Sequence, residues 1–209
     1  MSNPFSIGRQ ARGAAAAVAC LLVLSAPITA GAGPHHDNGN GRDHTRVLWL
    51  DHFGLLPGDS DLTTSHRSTT SCPGFTSCLT GLVVESSTTG DHFAAGGNKV
   101  VHMAAGVPPG FDVIGVRVCY ELSNPAGFIT QVRLAQVQDP PDSAAVLLDD
   151  GTDLTDAGPA CVDTEPPFAG SIDPEAGSLL VSLRLDYGST TDRIVVRGLG
   201  LLLQKSGGH

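Results

Sequence analysis

Residues 149–158, DDGTDLTDAG, carry four carboxylates in a short segment: Asp149, Asp150, Asp153 and Asp156. Calcium binds carboxylate and carbonyl oxygens of flexible loops, so these side chains could serve as its ligands. The segment lacks the D-x-[DN]-x-[DN]-G series of an EF-hand loop, however, and Asp-Asp-Gly is typical of a tight turn. We therefore expect a solvated turn between two strands. A calcium site on these aspartates is the alternative, and no other cofactor is expected.

Gly58-Asp59-Ser60 resembles the Gly-Asp-Ser block of a family of serine esterases. That family activates its serine with a histidine placed three residues after an aspartate, because a hydroxyl is a weak nucleophile without a positioned base. None of the eight histidines has that spacing. Pro57–Ser60 is therefore predicted to be a turn.

The histidines form no recognisable metal motif. A cupin-type site needs two histidines one residue apart on a strand, and the chain has no His-x-His pair. An enzyme would need His52, His92 or His102 to meet acidic side chains in space, which sequence alone does not show. No catalytic residue is assigned, and the chain is not expected to be an enzyme.

Arg9 and Arg12 precede the apolar run GAAAAVACLLVLS, and the small residues APITAGA follow it. This order is typical of a secretory signal peptide, and the run is too short to span a bilayer. Residues 1–32 are therefore predicted to be a signal peptide cleaved after Ala32, with cleavage after Ala30 as the alternative. The mature protein is expected to be secreted, periplasmic or attached to the cell surface.

Cys20 lies within the predicted signal peptide, which leaves Cys72, Cys78, Cys119 and Cys161. An even number of cysteines in an exported chain indicates disulfides, although several pairings are possible. The segment CPGFTSC encloses a Pro-Gly turn and favours a local bridge. The expected pairs are Cys72 with Cys78 and Cys119 with Cys161.

The chain is acidic, with a formal net charge of −9 that becomes −11 when Arg9 and Arg12 leave with the signal peptide. Residues 134–183 hold ten Asp or Glu and no Lys or Arg. Such a surface repels phosphate backbones and anionic lipids, which argues against nucleic acid as a partner. No membrane span is predicted in the mature chain. The expected partner is an extracellular ligand, either a glycan or a protein.

From Val47 onward the apolar residues follow a period of two, as strands do, and no stretch shows a helical stripe with caps. The clearest case alternates Leu179, Val181, Leu183, Leu185 and Tyr187 with mostly polar residues. This pattern predicts an all-β fold, an antiparallel β-sandwich of jelly-roll or immunoglobulin-like type. The expected organisation is a flexible tail at 33–46, a single domain at 47–205 and a short tail at 206–209.

Trp49 is the sole tryptophan, and its place in VLWLD predicts burial. Sugar-binding sandwiches usually expose several aromatic rings, which weakens the case for a glycan ligand. The expected role is a non-catalytic binding or interaction module. The alternatives are a hydrolase or metal-dependent enzyme with a site built from scattered His and Asp, and a structural accessory domain of an extracellular assembly.

The cysteine assignment predicts that the mature protein contains no free thiol. A thiol reagent should label the denatured protein only after reduction, and reduction should add the mass of four hydrogen atoms. A Cys119→Ser variant is the control and should expose a single reactive thiol. A reactive thiol on the oxidised wild-type protein would contradict the pairing.

Overall fold

Runs rich in Val, Ile and Leu form the strands, because β-branched and leucine side chains pack well on a pleated, half-buried surface. The computed structural model describes residues 45–66, 81–138, 143–164, 172 and 177–206. In these ranges the strands are β1 (Arg46–Leu50), β2 (Leu56–Pro57), β3 (Leu62–Ser65), β4 (Leu82–Ser86), β5 (Val100–Ala105), β6 (Phe111–Leu122), β7 (Gly127–Gln138), β8 (Ala144–Asp150), β9 (Ala160–Asp163), β10 (Gly177–Tyr187) and β11 (Arg193–Lys205). A short 3₁₀ helix, His52–Gly54, lies between β1 and β2.

The strands form two antiparallel sheets. The first sheet has the order β3-β4-β11-β6-β9, with β1 also paired to β11. The second sheet has the order β2-β5-β10-β7-β8. The prediction of an all-β antiparallel sandwich is confirmed. The described ranges contain no helix long and apolar enough to cross a membrane.

Strand β10 shows how the period of two builds the core. Leu179, Val181, Leu183, Leu185 and Tyr187 are all buried, as predicted, and they join one apolar cluster with residues of the first sheet. Successive side chains of a strand point to opposite faces, so the intervening residues lie on the outer face of the second sheet.

Strand β11 lies at the centre of the first sheet and is shared by three partners. β6 pairs with β11 along one edge, from Ile194 to Lys205. Along the other edge, β4 pairs with residues 193–196 and β1 with residues 199–203. β11 therefore fixes where β1 lies relative to β6.

The predicted signal peptide, the predicted flexible tail as far as residue 44, and Cys72 and Cys78 all lie outside the described ranges. The residue before Val47, Arg46, already pairs with Leu203 as the first residue of β1. The first strand thus begins one residue before the predicted domain start.

The contact between β1 and β11 predicts that Gly200→Ala destabilises the fold. A methyl group at Gly200 would lie 2.7 Å from Cγ1 of Val47 and 3.2 Å from the carbonyl oxygen of Leu48. Since Val47 is β-branched and Leu48 contributes backbone, β1 must shift, at a cost of about 1 to 3 kcal/mol in the free energy of unfolding. Urea unfolding measures this loss.

Gly151→Ala is the matched control, because a methyl group there meets no atom within 4 Å. The control should be neutral or slightly stabilising, since alanine restricts the unfolded chain. Equal losses in the two variants would contradict the proposed contact.

Candidate functional site

Trp49 lies on the outer face of the first sheet and is 55% exposed. The expectation that it is buried is therefore wrong. Leu48 and Leu50 pack against the core, and a strand sends the residue between them to the opposite side. The alternation within VLWL indicated that Trp49 points away from the core, but the prediction gave more weight to the usual burial of tryptophan.

Two glycines of β11 make room for the indole. A methyl group at Gly198 would lie 3.1 Å from Cζ3 of Trp49, and one at Gly200 would lie 3.4 Å from Cε3. The ring therefore lies close against the backbone of β11, which leaves much of its remaining surface to solvent. A flat aromatic surface on a rigid sheet is well suited to stack against a flat ligand.

A cross-strand row continues from this ring to an ion pair. Trp49 pairs with Gly200, Gly200 with Arg117, and Arg117 with Asp163. Arg117 donates twice to Asp163, from Nε to Oδ1 at 2.6 Å and from Nη2 to Oδ2 at 2.7 Å. We call the outer surface formed by Trp49, Gly198, Gly200, Arg117 and Asp163 the Trp49 face.

The ion pair shifts the ionisation of both partners. The hydrogen bond from Arg117 lowers the pKa of Asp163 below 3.8, although burial acts in the opposite direction. The hydrogen bond to Asp163 likewise raises the pKa of Arg117 above its usual value. Both groups are therefore charged at neutral pH, and each neutralises the other.

A groove of about 710 Å³ opens beside this row. Its lining residues are Thr45, Val47, Ile114, Arg117, Asp163, Thr164, Leu202 and Gln204. A second cavity of about 410 Å³ is lined by Asp150, Thr152, Val162 and Asp163. Both volumes lie in the range of small-ligand sites, and Asp163 borders both cavities.

A disulfide ties the edge strand that carries Asp163 to the sheet. Cys119 of β6 is bonded to Cys161 of β9, and the two residues are direct cross-strand partners. This is one of the two bridges expected from the sequence. The other, Cys72–Cys78, lies outside the described residues and stays a prediction.

The four aspartates of residues 149–158 each have a different setting. Asp149 forms an ion pair with Arg133, with Nη2 and Oδ2 2.9 Å apart. Asp150 accepts a hydrogen bond from the N–H of Thr152, and Asp156 accepts one from the N–H of Gly158, both at 3.0 Å. Asp153 is exposed. The contacts of Asp150 and Asp156 are those of a polar turn, whereas Asp149 pairs with Arg133 across two strands, because β8 continues to Asp150. Calcium binding by the four residues stays a hypothesis.

The histidines named as enzyme candidates also have separate surroundings. The ring of His52 lies 4.3 Å from that of Phe53, and Nδ1 of His92 lies 2.5 Å from Oδ1 of Asp91. His102 pairs with Ser182 in the second sheet. Within the described ranges, no three His, Cys, Asp or Glu side chains form a group suited to hold a metal ion.

The Gly-Asp-Ser segment forms a turn. Oδ1 of Asp59 accepts hydrogen bonds from the N–H groups of Asp61 and Leu62, at 2.8 and 3.2 Å. These contacts are those of an aspartate that begins a turn, as predicted for this segment.

The Arg117–Asp163 pair predicts a specific acid response. Because the pKa of Asp163 is lowered in the folded state, its carboxylate stabilises the fold above pH 3.8, and this contribution disappears as the pH falls through the folded pKa. Asp163→Asn should therefore lower stability at pH 7. Between about pH 4 and 2 its free energy of unfolding should fall less steeply than that of the wild type.

Urea unfolding at a series of pH values tests this response, and Asp153→Asn serves as the exposed control. Identical slopes for the wild type and Asp163→Asn would contradict the role of the ion pair.

No family model and no curated protein matches the chain. Among solved structures, the chain is similar to a CBM4 module, with 14% identity, 73% of this chain and 95% of that chain covered, and a TM-score of 0.42. It is also similar to the CBM22-1–GH10 modules of Clostridium thermocellum endo-1,4-β-D-xylanase 10B in complex with xylohexaose, with 10% identity, 80% coverage of this chain and a TM-score of 0.44. The match spans only 29% of that structure. The C-terminal family 22 carbohydrate-binding module of the same xylanase matches with 13% identity, 81% of this chain and 98% of that chain covered, and a TM-score of 0.39.

Proposed function

We propose that this protein is an exported, non-catalytic binding module that holds its ligand on the Trp49 face. The observation that carries the proposal is the exposed indole, 55% accessible, packed against a floor of glycine backbone. Exposing a large aromatic ring to water is unfavourable unless something covers it, and such surfaces commonly mark interaction sites. The adjoining groove supplies walls of mixed polar and apolar character.

We propose a glycan as the ligand class. A sugar ring presents an apolar C–H face, which suits stacking on Trp49, and a rim of hydroxyl groups that donate and accept hydrogen bonds. The carboxylate of Asp163 can accept from such hydroxyls, while Thr45 and Gln204 border the same groove. Polar groups around an aromatic platform are thus complementary to both parts of a sugar.

The charge of the face favours a neutral glycan over a polyanion. Arg117 is already paired with Asp163, so the face offers no free guanidinium for a carboxylate or sulfate group of the ligand. The acidic balance of the whole chain adds repulsion toward polyanions.

Export is supported by the amino-terminal pattern and by the cross-strand disulfide. Arg9 and Arg12 before an apolar run are typical of a signal peptide. The bridge between Cys119 and Cys161 is the kind of bond that persists in oxidising compartments. Both observations agree with a protein that meets its ligand outside the cytoplasm.

Trp49→Ala should weaken glycan binding by about tenfold or more, as expected for a central aromatic contact. Trp49→Phe should retain part of the affinity because a smaller ring still stacks. Leu56→Ala is the control, since Leu56 is 62% exposed but lies in the second sheet. The measurement is affinity gel electrophoresis on soluble xylan, mixed-linkage glucan, galactomannan and polygalacturonate, followed by calorimetry on the best ligand.

Retardation by none of these polysaccharides, or equal losses in Trp49→Ala and Leu56→Ala, would contradict the proposal. Release of reducing sugar from any of them would instead support the enzymatic alternative.

A further inference from the structure

Lys99 is a fully buried lysine just before β5. Its side chain has no exposure to solvent, which is rare for an ammonium group because burial of an unpaired charge is very costly. Its backbone is fixed on both sides, since its N–H donates to Asp91 and its carbonyl accepts from Leu185. These two bonds fix the backbone from which the side chain extends.

Three consecutive carbonyl oxygens surround the ammonium group. Nζ of Lys99 donates to Thr88 at 2.7 Å, to Thr89 at 2.8 Å and to Gly90 at 2.9 Å. An ammonium group has three protons, so these bonds account for all of them. The ring of Tyr187 lies below, with its centroid 5.6 Å from Nζ.

The loop formed by Thr88, Thr89 and Gly90 has a backbone conformation that points these carbonyls toward Nζ of Lys99. Gly90 has a φ of +76°, a conformation that favours glycine, and it exchanges backbone hydrogen bonds with Tyr187. Oγ1 of Thr88 donates to Oδ2 of Asp61 at 2.9 Å. The arrangement is thus held by contacts that do not involve the ammonium group itself.

Further oxygens and negative charge lie close by. Burial lowers the pKa of Lys99 from 10.5, while Asp61, Asp59, Asp186 and Asp91 act in the opposite direction. Oδ2 of Asp59 is buried and has no hydrogen-bond partner in the described part of the chain. A set of carbonyl and carboxylate oxygens of this kind is the donor set that hard cations prefer.

We propose that the carbonyls of Thr88, Thr89 and Gly90 form a cation site whose occupant in this protein is the ammonium group of Lys99, and that Asp59 and Asp61 supply negative charge beside it. The covalently attached ammonium group satisfies the three carbonyl oxygens that converge on it. Removing it should leave an oxygen-lined site that accepts a free hard cation, such as calcium. This site is separate from the Trp49 face and does not depend on the proposed function.

The site also positions groups on the second sheet. Asp91, which follows Gly90, forms an ion pair with Arg184 and a contact with His92. Loss of the cation should therefore loosen this outer surface while leaving the opposite sheet in place.

The test compares Lys99→Ala, which removes the ammonium group and leaves space, with Lys99→Met, which fills the space without charge. Thermal unfolding is followed in excess chelator and then with calcium chloride, potassium chloride or methylammonium chloride. Both variants should unfold at a lower temperature than the wild type. At a hundredfold excess over its dissociation constant, the best-binding cation should raise the midpoint of Lys99→Ala by about 5 to 10 °C beyond any shift in the wild type or in Lys99→Met.

A cation response of Lys99→Ala no larger than that of Lys99→Met would overturn the proposal. If Lys99→Ala shows no cooperative transition in chelator, it is refolded from urea with and without calcium chloride. Recovery of a cooperative transition only with calcium supports the site, and recovery in neither condition overturns it.

Discussion

The alternation of leucine and glycine along β11 is the constraint on which both the core and the Trp49 face depend. Leu199 and Leu201 are fully buried on one side of the strand, while Gly198 and Gly200 leave the other side flat enough for the indole. Because a strand sends alternate residues to opposite faces, one stretch of sequence satisfies both demands. A one-residue slip would place leucines under Trp49 and glycines in the core, so the register is strongly specified.

The second requirement is that a short edge strand be held in place. β9 has only four residues, Ala160–Asp163, and hydrogen bonds along one edge hold such a strand weakly. The Cys119–Cys161 bridge closes a sequence separation of 42 residues, which in the chain-entropy model is worth roughly 3 to 5 kcal/mol. Asp163 lies two residues after the bridge, so the covalent link sets the carboxylate opposite Arg117.

The sequence predicted the parts of the structure that follow from local periodicity. The predicted alternation in β10 and the predicted pairing of Cys119 with Cys161 were both correct, because each depends on a pattern that can be recognised in the amino-acid sequence itself. The burial of Trp49 was predicted wrongly, since the average behaviour of the residue type was given more weight than its position between two leucines. The groove was not predictable, because it forms only when β1 and β6, which are distant in sequence, pair with opposite edges of β11. The setting of Lys99 was missed because no pattern of residue types marks a loop whose three backbone carbonyls, 9 to 11 residues before the lysine, converge on its side chain.

The positive charges of Lys99 and Arg117 are satisfied in different ways, and the difference affects which ligands the Trp49 face can bind. Lys99 is enclosed by backbone carbonyls, so its charge is satisfied inside the protein. Arg117 lies on an open face and is satisfied by a single carboxylate, that of Asp163, which keeps accessible acceptor positions because an ionised carboxylate has about four lone-pair sites. A neutral ligand can use these positions without displacing the guanidinium, whereas an anion would have to break the pair. The same geometry makes contact with a neutral ligand only weakly dependent on salt, since screening acts mainly on net charges. The Trp49 face therefore combines a rigid aromatic surface with hydrogen-bonding groups whose charges cancel, a combination suited to uncharged polyhydroxylated ligands.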